Sequence, residues 1–345
     1  MTSPERPGPR LELSRAQILA HRRRAGALDE RLPPGPGSLR RAAWAGLPDS
    51  MPRAALVAIH ARVAGTTPST WEDPSLVQLW GPRFSAYVVP ADDIAVFTLG
   101  RFPADARGAR VATETAARLQ AFLGDRRMRY GDAGQAMGVH GNSLRYAAPT
   151  GTVLLRWEGA RQPVIWTVPA PTMSVDEARL ELARRYLHVL GPTNPTSLWR
   201  WAGSSRREAH AAIESLGHEL VPVRTPIGDG WILASDEASF RAPVQPAEAV
   251  RLLPSGDTHV LLHGIDRELL VPDAMRRTEL WTSRVWPGAL LIDGEVVGTW
   301  RRADADLTVQ AWRALSPAER EAVDAEAASL PLVGLPGPIR ARWTA

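Results

Sequence analysis

The middle of the chain has the clearest pattern of apolar and polar positions. Ser174 and Glu177 match a capping box, in which the serine accepts from a helix N–H and the glutamate reaches back. Apolar residues then recur at helical spacing until Gly191 ends the helix. A short second helix is predicted over 196–202, and a second capping box at Ser205 opens a third helix.

The same order of elements recurs twice before this unit. The first copy predicts three helices and two strands over 14–28, 38–46, 52–63, 77–80 and 84–89. The second copy predicts the same elements over 109–123, 132–138, 142–147, 152–157 and 163–168. The central unit completes its hairpin with strands over 220–223 and 231–233, joined by a turn predicted at 228–230. Helices followed by a two-stranded hairpin, three times over, predict three tandem winged-helix units.

From Val250 onward the pattern changes to strands. Asp293 and Gly294 lie between two apolar runs and predict a two-residue hairpin turn, because such a turn needs positive φ angles. Ser316 opens another capping box and predicts a terminal helix. The predicted fold class is therefore α+β: three winged-helix units and a C-terminal β-rich region with a terminal helix. The predicted boundaries are a disordered tail at 1–12, winged helices at 13–103, 104–171 and 172–246, the β-rich region at 247–334, and a tail at 335–345.

The residue types that the chain lacks exclude several kinds of chemistry, whereas its net charge excludes none. The 41 basic residues are all arginine, 37 residues are acidic, and the net charge of +4 does not by itself indicate nucleic acid. The absence of lysine excludes Schiff-base and P-loop chemistry. The absence of cysteine excludes disulfides, thiolate metal sites and cysteine nucleophiles. No apolar run approaches the ~20 residues of a membrane span, and no secretory segment precedes the first helix. A cytoplasmic protein with no membrane partner is expected.

His259 and His263 have the spacing of a helical zinc pair. Their apolar neighbours instead favour a strand, in which residues four apart lie too far from each other to share a metal ion. We therefore predict no metal site, and the sequence implies no cofactor.

Local motifs over about 13–334 resemble those of the tandem winged-helix DNA glycosylase family. The matching segments are Arg53-Ala-Ala-Leu56, 150–157, Arg185-Tyr-Leu187, Trp201-Ala-Gly203, Arg251-Leu-Leu-Pro254 and Gly298-Thr-Trp-Arg301. Members of this family remove bulky alkylated bases and unhook crosslinks. The resemblance implies that the three winged helices and the β-rich region form a concave channel. It also implies that the partner is double-stranded, damaged DNA; a monomer is expected.

The family's catalytic triplet lies just before the third helix of the first unit, where this chain has Pro48-Asp49-Ser50. The family usually has Gln or His at the first position, where this chain has Pro48, whose side chain can neither donate nor accept a hydrogen bond. The resemblance therefore leaves Asp49 and Ser50 as the catalytic candidates. Cleavage of an N-glycosidic bond builds positive charge on the sugar and needs a positioned water, and a carboxylate can serve both needs. The alternative is that Asp49 or Ser50 caps the helix that is predicted to begin near Pro52.

Six arginines are candidates for binding DNA phosphates. They are Arg53 and Arg62 in the first unit, Arg145 and Arg156 beside the second hairpin, and Arg206 and Arg207 in the first turn of the last helix of the central unit. A basic side chain at the start of a recognition helix can contact the DNA backbone. The alternative for each arginine is a solvated or ion-paired surface position.

The sequence therefore predicts a DNA-binding protein similar to monofunctional DNA glycosylases, which hydrolyse the N-glycosidic bond of bulky alkylated or crosslinked bases in DNA repair. Without lysine, the chain lacks the usual amine for a lyase reaction, so the abasic site is expected to stay intact. One alternative is a non-catalytic winged-helix DNA binder, such as a damage sensor or a transcriptional regulator. The other alternative is a protein-interaction scaffold.

Overall fold

The computed structural model describes residues 11–51, 53–157, 161–245, 247, 249–332 and 339–344. Within these ranges the chain is a mixed α/β structure whose strands form four sheets. Three sheets have three strands and the fourth, near the C-terminus, has five. Among the helices described, none combines the length and apolar character that a bilayer span requires.

The N-terminal part places a short strand between helices and then forms a hairpin. Its elements are β1 (Leu11–Glu12), α1 (Arg15–Ala25), α2 (Pro36–Ala42), β2 (Leu47–Pro48), α3 (Ala54–Arg62), β3 (Leu76–Trp80), β4 (Ala86–Pro90) and α4 (Ile94–Thr98). β2 pairs antiparallel with β4, which in turn pairs antiparallel with β3. The hairpin strand β4 is therefore central in this sheet, and β2 ends at the position where the candidate triplet begins.

The second part repeats this topology. Its elements are α5 (Ala106–Leu123), β5 (Met128–Arg129), α6 (Tyr130–Ala136), a 3-10 helix (Gly141–Thr150), β6 (Val153–Arg156) and β7 (Val164–Thr167). The short strand β5 again pairs antiparallel with the second strand of the hairpin. The hairpin connection predicted around Gly159 lies outside the described residues.

The third part has three helices before its hairpin, as the capping boxes predict. Its elements are α7 (Val175–Leu190), α8 (Pro195–Ala202), α9 (Arg206–Leu216), β8 (Leu220–Thr225), β9 (Gly228–Leu233) and α10 (Glu237–Arg241). The Ser174 and Ser205 capping boxes are confirmed. The turn predicted at 228–230 is wrong, because those residues already belong to β9 and the turn is at 226–227. Pro226 is suited to the first central turn position, since its ring sets φ near −65°.

The start of the chain packs on the third part and not on its own neighbours. Leu11 and Glu12, placed by sequence in a disordered tail, form β1 and pair in parallel with β8. That assignment is wrong for these two residues because Leu11 packs against a core that includes Val223 and Ile232. Helix α1 continues this packing against α7, α10 and α11 (Asp266–Leu270). Residues 1–10 of the predicted tail lie outside the described residues.

The C-terminal part is built on the five-stranded sheet. Its remaining elements are β10 (Val250–Leu253), α12 (Ala274–Leu280), β11 (Gly288–Ile292), β12 (Glu295–Ala303), β13 (Asp306–Ala311), α13 (Pro317–Ala328) and β14 (Arg340–Trp343). The Asp293-Gly294 turn is confirmed, with φ angles of 52° and 80°. The Ser316 capping box is confirmed as well.

The tail predicted at 335–345 is wrong for 340–343, which form the edge strand β14. This strand pairs in parallel with β13, from Asp306 opposite Arg340 to Val309 opposite Trp343. Ala341 and Trp343 pack against the core of this sheet while the alternate arginines are exposed, so the segment has the period of two that a half-buried strand needs. Residues 335–338 and 345 lie outside the described residues.

Helix α7 makes one ion pair with the first part of the molecule and one hydrogen-bonded contact within the third part. Arg185 donates to both carboxylate oxygens of Asp93, at 2.8 and 3.0 Å, just after the first hairpin. His188 Nδ1 lies 2.9 Å from Asp236, at the equivalent place after the third hairpin. Both aspartates end a 3-10 turn that follows a hairpin. The apolar face of α7 forms part of the largest core, so the helix is held by burial and by charge.

His21 on α1 is a buried group whose protonation opposes folding. Its Nε2 donates to the His188 carbonyl at 2.8 Å, and its Nδ1 accepts from the Ser239 hydroxyl at 2.9 Å. Its ring stacks on Phe240 with centroids 3.7 Å apart. Desolvation by burial lowers the pKa of His21 from 6.5 to about 4. The folded chain therefore holds the neutral imidazole, and burial likewise lowers the pKa of His259 to about 3.

We expect stability to fall as the pH drops from about 6.5 toward 4. In this window the unfolded chain binds a proton at His21 that the folded chain does not, which costs about 1.4 kcal/mol per pH unit. The substitution His21→Gln should remove about one proton from the pH dependence of the free energy of unfolding, measured by urea denaturation. His210→Gln, at an exposed position on α9, is the control. An unchanged slope in His21→Gln would contradict the assignment.

Candidate active site

The segment that joins β2 to α3 carries the predicted triplet. The Asp49 N–H donates to the Ala86 carbonyl at 2.8 Å, so the segment continues the edge of the first sheet. The Asp49 side chain points inward and is only 3% exposed, whereas Ser50 is exposed. Asp49 Oδ1 accepts from the Ala55 N–H at 3.0 Å. Asp49 therefore satisfies one backbone N–H in the first turn of α3, although the residue at the N-cap position is Arg53 and not Asp49 or Ser50.

Gln78 is a site residue that the sequence analysis missed. It lies in the middle of β3, and its Nε2 donates to Asp49 Oδ2. Its Oε1 accepts from the Trp157 N–H at 2.6 Å, just after β6 of the second part. One amide thus connects the buried carboxylate to a neighbouring unit. A polar residue inside the apolar run of β3 is the sequence signal that could have identified it.

Burial changes the acid–base chemistry of Asp49. Desolvation raises the pKa of Asp49 from 3.8 to about 7, although hydrogen bonds from Ala55 and Gln78 and the nearby charge of Arg53 oppose this rise. The two donors stabilise the ionised form, and the low-dielectric surroundings destabilise it. The carboxyl therefore changes its charge near neutral pH, where a group can act as an acid or a base.

A cavity of about 450 Å³ opens beside Ser50. Its walls combine aromatic rings, two arginines and small polar side chains. The lining residues are Ser50, Trp80, Phe84, Ser85, Ala86, Tyr130, Arg145, Trp157, Arg161, Gln162 and Pro163. Of the six predicted DNA-binding arginines, only Arg145 lines this cavity, where its guanidinium lies 5.7 Å from the centroid of Tyr130. Ser50 is the triplet residue that reaches the cavity, while Asp49 lies behind it.

The guanidinium groups of Arg53 and Arg156 both contact the ring of Trp71. Their guanidinium carbons lie 3.9 and 3.6 Å from the ring centroid of Trp71, and Arg156 also donates to Glu72 at 2.7 Å. Arg53 has a φ of 63° and precedes α3, which begins at Ala54. The predicted helix start at Pro52 lies outside the described residues. Arg53 also lines a second cavity of about 290 Å³, whose other walls come mainly from the C-terminal part.

Arg62 does not have the predicted role. Its side chain is 3% exposed and donates to both carboxylate oxygens of Asp257 at 2.8 Å. It also donates to the Ala58 carbonyl at 2.9 Å. These bonds join α3 to the C-terminal part, and a buried, paired guanidinium cannot reach a phosphate. Arg62 is therefore structural.

Arg206 and Arg207 are exposed at the start of α9. The Arg206 guanidinium lies 4.7 Å from the centroid of Trp199, on the preceding helix. Neither arginine lines the cavity beside Ser50. Their exposure leaves them open to a ligand, but the structure does not bring them together with Asp49.

His259 belongs to a 3-10 turn and not to the predicted strand. Burial lowers the pKa of His263 to about 4 and keeps its ring neutral. In the part of the chain that the structure describes, no three His, Asp or Glu side chains come close enough to hold a metal ion.

The sequence model of the DNA glycosylase AlkZ-like family matches residues 42–331. This range includes the triplet segment, Gln78 and the cavity beside Ser50. The chain belongs to the AlkZ-like DNA glycosylase family. No curated protein sequence is similar enough to match it.

The fold of this AlkZ-like chain is similar to that of the DNA glycosylase AlkZ of Streptomyces sahachiroi. The TM-score is 0.76 over 97% of this chain and 100% of that chain. The sequence identity is 16%, so the comparison shows a common fold only. The roles of individual residues are argued from their local geometry in this chain. Family and fold together support DNA binding of the kind that DNA glycosylases perform.

The Asp49–Gln78 contact can be tested by exchanging the chemical groups. Asp49→Asn sets an amide donor against the Gln78 donor, and Gln78→Glu sets two carboxylates together. Each should lower the free energy of unfolding by about 1–3 kcal/mol. The double variant should recover most of that loss, because the new amide donates to the new carboxylate, which still accepts from the Trp157 N–H. Urea denaturation near pH 8, above the pKa of Asp49, measures the coupling; purely additive losses would contradict the contact.

Proposed function

We propose that this AlkZ-like protein binds damaged double-stranded DNA and hydrolyses the N-glycosidic bond of a bulky alkylated base. One observation carries the proposal: Ser50, in the segment that stands at the place of the family's catalytic triplet, lines the cavity. Aromatic rings in that cavity can contact a base, and Arg145 can contact a phosphate. A site that offers both contacts next to a carboxylate suits base excision.

We also propose that three winged-helix units, at 13–103, 104–171 and 172–246, and the β-rich region at 247–334 together form the DNA-binding channel. The repeated topology supports this division, since β2 pairs with β4 and β5 pairs with β7. The third part has an isolated antiparallel bridge from Thr193 to Trp231 at the same topological place. In each part a short strand or a single bridge residue before the later helices pairs with the second strand of the hairpin.

In the proposed mechanism, Ser50 and Asp49 have different tasks. The Ser50 hydroxyl, at the cavity wall, orients the water that attacks the sugar. The Asp49 carboxylate lies one residue behind it and supplies negative charge as positive charge develops on the sugar. Because Asp49 has a pKa of about 7, it is ionised above neutral pH and protonated below. Gln78 and the Ala55 N–H hold the carboxylate in place.

A second candidate function is non-catalytic binding of DNA. Both oxygens of Asp49 already accept hydrogen bonds within the protein, and the side chain is 3% exposed. This engagement favours a structural role for Asp49 over contact with a substrate. In that case the cavity would recognise a lesion without removing it, and the protein would act as a damage sensor or regulator.

We expect purified protein to release free alkylated base from methylated or mustard-treated duplex DNA. Asp49→Asn should abolish the release, and the wild-type rate should rise with pH through about 7, as Asp49 ionises. The DNA strand should stay uncut until alkali is added, because the chain has no lysine. Chromatography of the released base and denaturing gels of the DNA measure the two products.

Asp92→Asn is the matched control for this experiment, because Asp92 is an exposed aspartate with 82% of its side-chain surface accessible. It should release base at the wild-type rate. Binding of damaged DNA without release of base would support the second candidate. Strand cleavage that persists in Asp49→Asn would contradict the monofunctional assignment.

Phosphate contact by Arg145 predicts a change in salt dependence. The substitution Arg145→Gln should weaken DNA binding and reduce the slope of log Kd against log salt by about one. Arg241→Gln, an exposed arginine that pairs with Glu237 on α10, is the control and should leave the slope unchanged. Fluorescence anisotropy over a salt series measures both. A slope that Arg145→Gln does not change would remove this residue from the interface.

A further inference from the structure

Two aromatic rings meet next to the cavity beside Ser50. Phe84 lines this cavity, and Tyr146 packs against Phe84 with ring centroids 5.7 Å apart and planes at 85°. Tyr146 is 50% exposed, among the most exposed large apolar side chains in the described chain. Part of the Tyr146 ring is therefore open to a ligand, while the rest rests on Phe84.

The loop that carries Phe84 has an uncommon backbone. Arg83 and Phe84 both have φ angles of 57°, in the left-handed region that non-glycine residues rarely adopt. Such a conformation persists only where surrounding contacts impose it, and it is concentrated at binding sites. Two neighbouring residues held in this way place the Phe84 ring in one defined position.

Contacts from other elements hold this loop. Arg101 is buried, donates to the Trp80 and Gly81 carbonyls, and places its guanidinium 5.1 Å from the Phe84 ring centroid. From the third part, the Arg200 carbonyl accepts from Arg83 at 3.1 Å. A Cβ at Gly203 would come within 2.9 Å of the Arg83 nitrogen, so the end of α8 lies directly against the loop. The loop is a rigid support and not a free hairpin tip.

We infer that Tyr146, supported edge-to-face by Phe84, forms a stacking site for one unpaired nucleobase next to the cavity beside Ser50. A base displaced from the duplex exposes a flat aromatic face, which stacks on an aromatic side chain whatever its sequence. Arg145, adjacent to Tyr146 in the same 3-10 helix, lines the cavity and can take the phosphate of that nucleotide. The ligand class is therefore a nucleotide that has lost its pairing partner. This inference rests on the DNA binding proposed above and does not depend on base release.

The test compares two short duplexes that differ in one feature: one is fully paired and the other contains a single unpaired 2-aminopurine. Wild-type protein should bind the second duplex more tightly and quench its fluorescence. Tyr146→Leu should weaken binding to the unpaired duplex by about fivefold or more and remove the quenching, while binding to the paired duplex changes little. Tyr146→Phe keeps the ring and should behave as wild type.

Phe84→Leu is the second variant and should reduce the quenching as well, because Tyr146 loses its support. Met275→Leu, at a position that is 72% exposed on α12, is the control for introducing leucine at an exposed apolar position. Equal binding of both duplexes by wild type, or equal losses on both in Tyr146→Leu, would overturn the stacking site and leave the proposed function standing. No binding of either duplex by wild type would contradict the proposed function itself.

Discussion

The candidate site depends on the hydrogen bonds that one buried amide makes in two directions. Gln78 donates to Asp49 and accepts from the Trp157 N–H, so it joins the first part of the chain to the second at the cavity wall. A carboxylate this deeply buried is costly unless donors surround it. The Ala55 N–H and the Gln78 amide supply those donors and fix the orientation of the carboxylate. The position of Ser50 at the cavity follows from how the preceding residue is held.

Buried charged groups that pair with each other also join the larger parts of the molecule. Arg185 on α7 binds Asp93 in the first part, and Arg62 on α3 binds Asp257 in the C-terminal part. Removal of one partner from a buried pair costs several kcal/mol because the other charge stays buried. Each pair therefore favours one arrangement of the parts over alternatives that would leave a charge alone. The cavity beside Ser50 is lined by residues of the first and second parts, which the two hydrogen bonds of Gln78 join.

Short-range patterns in the sequence predict most of the helices and strands, but they do not predict how these elements pack together. The capping boxes at Ser174, Ser205 and Ser316 act within one helical turn, so the sequence contains all that they need. The parallel pairing of β1 with β8 joins residues more than 200 positions apart, and two residues of strand give no periodicity to detect. At the site, Asp49 was found through its motif. Gln78 was missed because its role appears only when β3 and β6 lie side by side.

The amino-acid composition does not show where the arginine charges act, because that depends on the burial and the partners of each side chain. Arg22, Arg62, Arg101 and Arg185 are buried and bind carbonyls or carboxylates of the protein. Where the partner is a carboxylate, as for Arg62 and Arg185, the pair adds little to the field outside the molecule, since it is nearly neutral at a distance. By contrast, the described lining of the cavity beside Ser50 contains two arginines and no carboxylate. A small net charge is therefore compatible with a locally cationic site, and the burial of each arginine decides which of them can attract a phosphate.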